Sequence, residues 1–106
     1  AHAGRMAQLF GRVDCLLIPA LPIAGPSLAR MGAFASDDEA TQVIGRYTVP
    51  FDMCGLPTLT QPNGRSPAGI PLAHQLAGPR LSEPLLCRVG AAFEDATDWR
   101  PAPETL

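Results

Sequence analysis

Residues 55–78, GLPTLTQPNGRSPAGIPLAHQLAG, leave little room for a helix and much for a pair of short strands. Thr58-Leu59-Thr60-Gln61 is β-prone and is bounded by Pro57 and Pro62, which cannot donate to a ladder. Asn63-Gly64 is a turn signal, and Arg65 to Gly69 extend it into a loop. Ile70 to Ala77 reads as the returning strand, with Pro71 near its start, where a missing donor is tolerated. Period-two alternation places Ile70, Leu72, His74 and Leu76 on one face and Pro71, Ala73, Gln75 and Ala77 on the other. The spacing predicts a hairpin with arms at 58–62 and 70–77.

The rest of the chain supplies partners for that hairpin. Met6, Leu9 and Phe10 share one side of a helix near 2–10, with Gly11 available as a left-handed cap. Val13-Asp14-Cys15-Leu16-Leu17-Ile18-Pro19 is too short and too apolar for an amphipathic helix. It predicts a strand near 14–18, buried on both faces inside a parallel or mixed sheet. Pro, Gly and Ala dominate residues 19–35, which read as a long connection. Ser36-Asp37-Asp38-Glu39 matches a capping box, followed by Ala40, Val43, Ile44 and Tyr47 at helical spacing. Pro50 interrupts that helical stretch (37–54), and Thr48 and Gly55 are placed to cap a second short helix over 49–54. Ser82, with Glu83 and Pro84 in the first turn, opens a last helix over 82–98. Leu85, Leu86, Val89, Phe93 and Ala96 form its apolar stripe, and Trp99 is expected to fold over its end before Pro101 and Pro103. The fold class expected is therefore α/β in three layers, with about three strands and three to four helices.

Composition narrows the function. With 17% charged and 46% hydrophobic residues, the chain is less charged than an average domain at about 25%, so another domain or subunit is expected to cover part of its surface. A net charge of −2 without a basic block argues against nucleic acid and anionic membranes as partners. No apolar run approaches the roughly 18–20 residues of a membrane span. The opening AHAGRMAQLF has no signal-peptide core, lacks an initiator Met and begins inside a helix, as a fragment would, although Met removal before Ala would look the same. Cys15, Cys54 and Cys87 are widely separated and form no CxxC pair, so three buried, reduced thiols in a cytoplasmic protein are expected. His2 and His74 have no ligand partners at metal-binding spacing.

In order, the chain reads VDCLLIP, a capped helix running into TVPFDMCGLP, TLTQP, GIPLAHQLAGP and the helix SEPLLCRVGAAFEDATDW. This order resembles the C-terminal quarter or so of the amidase signature enzymes. The family includes bacterial amidases, fatty-acid amide hydrolases and the tRNA-dependent amidotransferase component that works on misacylated tRNA. The resemblance implies that residues 1–106 are the C-terminal portion of a mixed-sheet, helix-covered amidase domain whose catalytic part lies upstream. It further implies cleavage of carboxamide C–N bonds by a serine activated through a second, cis-bonded serine and a lysine. The chain has no lysine at all, its eight basic residues being Arg. Ser27, Ser36, Ser66 and Ser82 stand outside any Gly/Ser-rich stretch. No catalytic, cofactor-binding or metal-binding residue is therefore assigned, and the isolated chain is expected to be inactive. By the same resemblance no cofactor is implied. The partners implied are a small-molecule amide and the remainder of the amidase domain, with a homo-oligomer as an open option.

The resemblance also marks two departures. Gly45 stands three places before the TVP segment, where the glutamine-using amidotransferases commonly carry an acidic residue, which argues against an amino-acid amide. His74 replaces an aliphatic residue.

Other readings remain beside it. Cys54 and His74 suggest a thiolate–imidazolium pair, with Asp52 or Asp98 orienting the ring, although packing explains Cys54 better. Asp52 accepts local backbone donors or contacts substrate. Gln75 bonds a neighbouring loop or contacts substrate, while Glu94 and Asp95 face solvent. Leu28, Met31 and Phe34 line a substrate entrance or cover sheet edges. The alternative to an enzyme segment is a non-catalytic docking subunit or degenerate homologue.

Overall fold

The computed structural model describes residues 2–36 and 38–98, without the side chains of 33–35, 39 and 40. In chain order the elements are α1 (His2–Phe10), β1 (Leu16–Pro19), α2 (Leu28–Ala35), α3 (Asp38–Gly45) and α4 (Val49–Cys54), followed by β2 (Thr58–Arg65), β3 (Pro71–Ala77) and α5 (Glu83–Ala96). The expected Trp99 cover, with Pro101 and Pro103, lies outside the described residues. So do the Glu39 half of the capping box and the side chain of Phe34.

β3 is the central strand, antiparallel to both neighbours, in the order β1-β3-β2. Its register sorts the side chains into two faces. Leu17, Leu76 and Leu59 stand abreast on one face, as do Pro19, His74 and Gln61. Ile18, Gln75 and Thr60 share the other face with Leu16, Ala77 and Thr58. Helix α5 covers the first face over β2 and β3. Tyr47, between α3 and α4, meets the second through a hydrogen bond from Gln75. The result is an α/β arrangement of a three-stranded antiparallel sheet and, among the described residues, five helices, more than the three to four the pattern implies.

Burial on both faces belongs to β3, not to β1. His74, Gln75, Leu76 and Ala77 are all buried, whereas β1 alternates and leaves Leu17 67% exposed. An edge strand beyond the reach of α5 has no cover on that face, which is why the apolar run 16–19 is only half packed.

The hairpin turn is not at Asn63-Gly64. β2 continues to Arg65 through a register shift that leaves Asn63 unpaired opposite the step from Ala73 to Leu72. The chain reverses at Ser66–Gly69, where the Gly69 amide bonds the Ser66 carbonyl and the Ser66 amide bonds the Ile70 carbonyl, both at 2.8 Å. Ser66 Oγ also accepts the Ile70 amide at 3.2 Å. Gly69, at φ 82°, takes the left-handed geometry this turn requires.

Residues 28–35 are a helix rather than part of a long loop. The segment is rich in Ala, Leu, Met and Arg, all strong helix formers, once Pro26 is passed. Ser27 Oγ accepts the Arg30 amide at 3.4 Å, which is an N-cap. Other caps differ from expectation. Gly55 closes α4 in left-handed geometry (φ 63°), but Gly11 does not adopt a positive φ. Thr48 and Ser82 occupy N-cap positions without capping through their side chains. The Ser82 hydroxyl instead donates to the Pro79 carbonyl at 2.6 Å.

Among the described residues the buried apolar set is small: Phe51, Leu76, Ala77 and Leu86. Leu76 lies on the α5 face of β3 and Ala77 on the opposite one, while Phe51 and Leu86 belong to α4 and α5. Solvent-accessible area is 7685 Å², against roughly 5,700 Å² for a compact chain of this size. No described helix is long and apolar enough to cross a membrane.

α5 reaches the sheet at Gly90. A Cβ there would lie 2.5 Å from Leu59 Cδ2 and 3.1 Å from Gln61 Oε1. Gly90→Ala is therefore expected to destabilise the chain by about 1–3 kcal/mol through overpacking. Gly64→Ala, where nothing lies within 4 Å, should be close to neutral. Urea-denaturation midpoints of the two variants check this.

Candidate functional site

Three polar side chains occupy the middle of the sheet: Gln61, His74 and Gln75, at 6%, 5% and 2% exposure. Burying such groups is costly unless they find partners. Gln61 Nε2 donates to the Gly90 carbonyl at 3.0 Å and to Glu94 Oε1 at 3.3 Å, tying β2 to α5. Its Oε1 is buried without a hydrogen-bond partner. Gln75 Nε2 donates to the Tyr47 carbonyl at 2.5 Å and so ties β3 to the α3–α4 corner. Gln75 thus bonds a neighbouring loop, one of the two roles open to it. Glu94 is exposed yet engaged with Gln61, a contact that a purely solvent-facing placement does not include.

Gln61 is the polar residue that sequence reasoning misses. Its signal is present in the alternation, since it follows Leu59 by two residues and so shares that inward face.

His74 meets Phe93 of α5 edge-on, with ring centroids 4.6 Å apart and planes at 78°. Burial disfavours the imidazolium and pushes its pKa below 6.5. A neutral imidazole holds one donor and one acceptor.

The ring also borders a cleft of about 670 Å³, lined by Leu17 to Gly25, Asn63, Pro71 to His74 and Phe93. No lining residue carries a formal charge at pH 7. The first part of the 19–35 segment forms this wall. Leu28 and Met31, read as lining an entrance or covering sheet edges, lie on α2 at 91% and 46% exposure, and neither borders the cleft.

The thiol–imidazole constellation is not assembled. His74 lies on the α5 face, whereas Tyr47 and the lead into α4 meet the opposite face through Gln75. No hydrogen bond or ring contact among the described residues joins Cys54 to His74. The Asp52 carboxylate is exposed, and it is the Asp52 backbone carbonyl that accepts the Gly55 amide. Asp98 is exposed beyond the end of α5. Cys15 and Cys54 are half-buried and Cys87 is exposed, so none of the three thiols is fully buried as expected, and Cys87 departs furthest. No group of three His, Cys, Asp or Glu side chains among the described residues is arranged to hold a metal ion.

Gly45 ends α3, where an added Cβ would lie 2.9 Å from Cγ2 of the exposed Val49. An acidic side chain at this position would require Val49 to move.

Order, register and this packing have counterparts among known proteins. The sequence profile of the Amidase family matches residues 2–87. The chain belongs to the amidase family. The putative amidase AmiD of Mycobacterium tuberculosis (strain H37Rv) is 36% identical over 94 residues, covering 89% of this chain and 20% of that protein. A glutamyl-tRNA(Gln) amidotransferase subunit from Parvibaculum lavamentivorans is 36% identical over 99 residues, covering 92% of this chain and 19% of that protein. The solved structure of 6-aminohexanoate cyclic dimer hydrolase complexed with substrate superposes with a TM-score of 0.77 at 26% identity. That match covers 92% of this chain and 22% of the hydrolase. The chain thus spans about a fifth of the length of its amidase relatives.

Two predictions test the polar centre. Because His74 binds a proton more weakly folded than unfolded, the unfolded state takes up more protons as pH drops below about 6.5. Stability should therefore decrease as pH falls from 6.5 toward the lowered folded-state value. His74→Gln should flatten that limb, as read by urea denaturation between about pH 5 and pH 8. Gln75→Leu leaves the Tyr47 carbonyl without its donor and should cost about 1–3 kcal/mol, read as a lower thermal midpoint at fixed pH.

Proposed function

We propose that this chain is the C-terminal portion of an amidase domain that hydrolyses carboxamide C–N bonds, and that it is inert alone. The observation carrying this reading is the family match from residue 2 to residue 87 in a chain without lysine. The serine nucleophile, the cis-bonded serine and the lysine base belong to preceding sequence. There the serine Oγ attacks the amide carbonyl, the lysine-linked serine relays its proton to the departing amine, and water then releases the acyl group. Backbone donors of the Gly/Ser-rich segment stabilise the tetrahedral oxyanion.

In this reading residues 1–106 act as scaffold. β3 is fixed from both sides, by Gln75 to Tyr47 and by His74 to Phe93. The substrate is an amide other than an amino-acid amide, a reading supported by Gly45 and the Val49 methyl that crowds it. The partners are that amide and the remainder of the domain, and the compartment is the cytoplasm.

The test is expression of the complete open reading frame containing this chain, with ammonia release measured over a panel of aliphatic and aromatic amides. Turnover is expected. Replacing the upstream lysine by Ala should lower kcat by roughly 10⁴-fold or more. Upstream sequence lacking both a lysine and a Gly/Ser-rich segment would overturn the proposal. Turnover by the 106-residue chain alone would overturn it as well.

A further inference from the structure

Asn63-Gly64 is a turn signal that the fold does not use, since the chain reverses further on at Ser66–Gly69. The dipeptide has a second chemical property. A glycine after asparagine leaves the next backbone nitrogen unshielded by any Cβ, so that nitrogen can approach the asparagine Cγ and close a five-membered ring. Asn63 is the only asparagine in the 106 residues.

Its setting in β2 favours that approach. The register shift between Pro62 and Gly64 leaves Asn63 without a partner on β3. The residue is exposed, and no hydrogen bond among the described residues holds its side chain. A Cβ built on Gly64 would meet nothing within 4 Å, so the ring has space to form. Gln61 and Gln75 differ in each respect. They are buried, they are bonded to backbone carbonyls, and a glutamine must close a six-membered ring.

The Gly64 nitrogen is the group that has to be freed. The Ala20–Ala73 bond sets the alternation along β3, which turns the Gly64 amide toward Leu72. Beyond the shift, however, only Gly64–Leu72 and Arg65–Pro71 remain in register, and neither Pro62 nor Pro71 has an amide to give. A ladder end cut off in this way opens locally while the rest of the sheet stays paired.

We propose that Asn63 is a site of spontaneous covalent modification. In the opened hairpin end the Gly64 nitrogen bonds to Asn63 Cγ, the bond from Cγ to the side-chain nitrogen breaks, and ammonia leaves with the Gly64 amide proton. Water then adds to one of the two carbonyls of the resulting succinimide and opens it, to aspartate or to isoaspartate. The consequence falls on the cleft, whose lining includes Asn63, His74 and Phe93 and carries no formal charge at pH 7. Either product puts a carboxylate there. The isoaspartyl product also lengthens the main chain of β2 by a methylene where its ladder is already shifted. None of this chemistry depends on the amidase reading.

Peptide mapping of the complete polypeptide, incubated in mildly alkaline buffer below its thermal midpoint, tests the proposal. Trypsin releases residues 47–65, in which Asn63 is the only asparagine. That peptide is expected to give two heavier forms, aspartyl and isoaspartyl, with one ammonia released for each. Gly64→Ala has room for its methyl group and should slow the conversion several-fold, while Asn63→Gln should lose it over the same period. An unchanged rate in Gly64→Ala overturns the proposal, because the Gly64 nitrogen is then not the attacking group. A folded polypeptide that stays unconverted while the isolated peptide 47–65 converts also overturns it, because the ladder then keeps Gly64 closed.

Discussion

The close approach of α5 to the sheet at Gly90 is the constraint on which the rest of this structure depends. With no side chain at Gly90, the helix backbone comes near enough for Gln61 Nε2 to reach the Gly90 carbonyl, an approach that any side chain at this position would block. That contact sets the height of the helix above β2 and β3. The height in turn places Phe93 against the ring of His74 and lets Leu86 become fully buried. A helix raised by one methyl group would loosen all of these contacts together, since packed interiors do not absorb such changes smoothly.

The centre of the sheet is more polar than a small core usually is. Gln61, His74 and Gln75 take central positions that apolar residues could fill. Each of the two glutamines replaces part of its lost hydration by bonding a backbone carbonyl of a covering element. These bonds give direction where apolar contact would not, because they tie one strand to one place on one helix or corner. The sheet is thereby clamped between α5 and the Tyr47 corner, and register errors would cost buried hydrogen bonds as well as contacts.

Much of this is legible in the residues. The hairpin, the helix boundaries around Gly55 and Pro84, and the family resemblance follow directly from glycine and proline placement. The differences have physical sources. Asn63-Gly64 is a strong local turn signal, yet Ser66 offers a hydroxyl to the Ile70 amide and Gly69 the required φ, so the reversal lies further down the chain. Pro and Gly cluster ahead of residues 28–35 and suggest a continuing loop, although Ala, Leu and Met favour the helix that forms. The run at 16–19 is as apolar as a central strand. Whether it is buried depends on what lies across its edge, which no local pattern encodes. The same holds for the Cys54–His74 pair, where the residue types fit a dyad but the sheet keeps their elements on different faces.

The distribution of chemistry over this chain fits a supporting role within the amidase family. Groups that could act on a bound amide are either consumed by structure or isolated. Gln61 and Gln75 are spent on backbone carbonyls, and His74 packs edge-on against Phe93, where burial disfavours its charged form. A neutral imidazole without a carboxylate partner lacks the orienting element that makes such a ring a general base. The well-organised part of the molecule is instead the clamp on β3, the strand with the most neighbours to hold in place. A rigid central strand is what a segment without nucleophiles of its own can contribute to a larger domain. Precision there comes from positioning rather than from the flank's own nucleophiles.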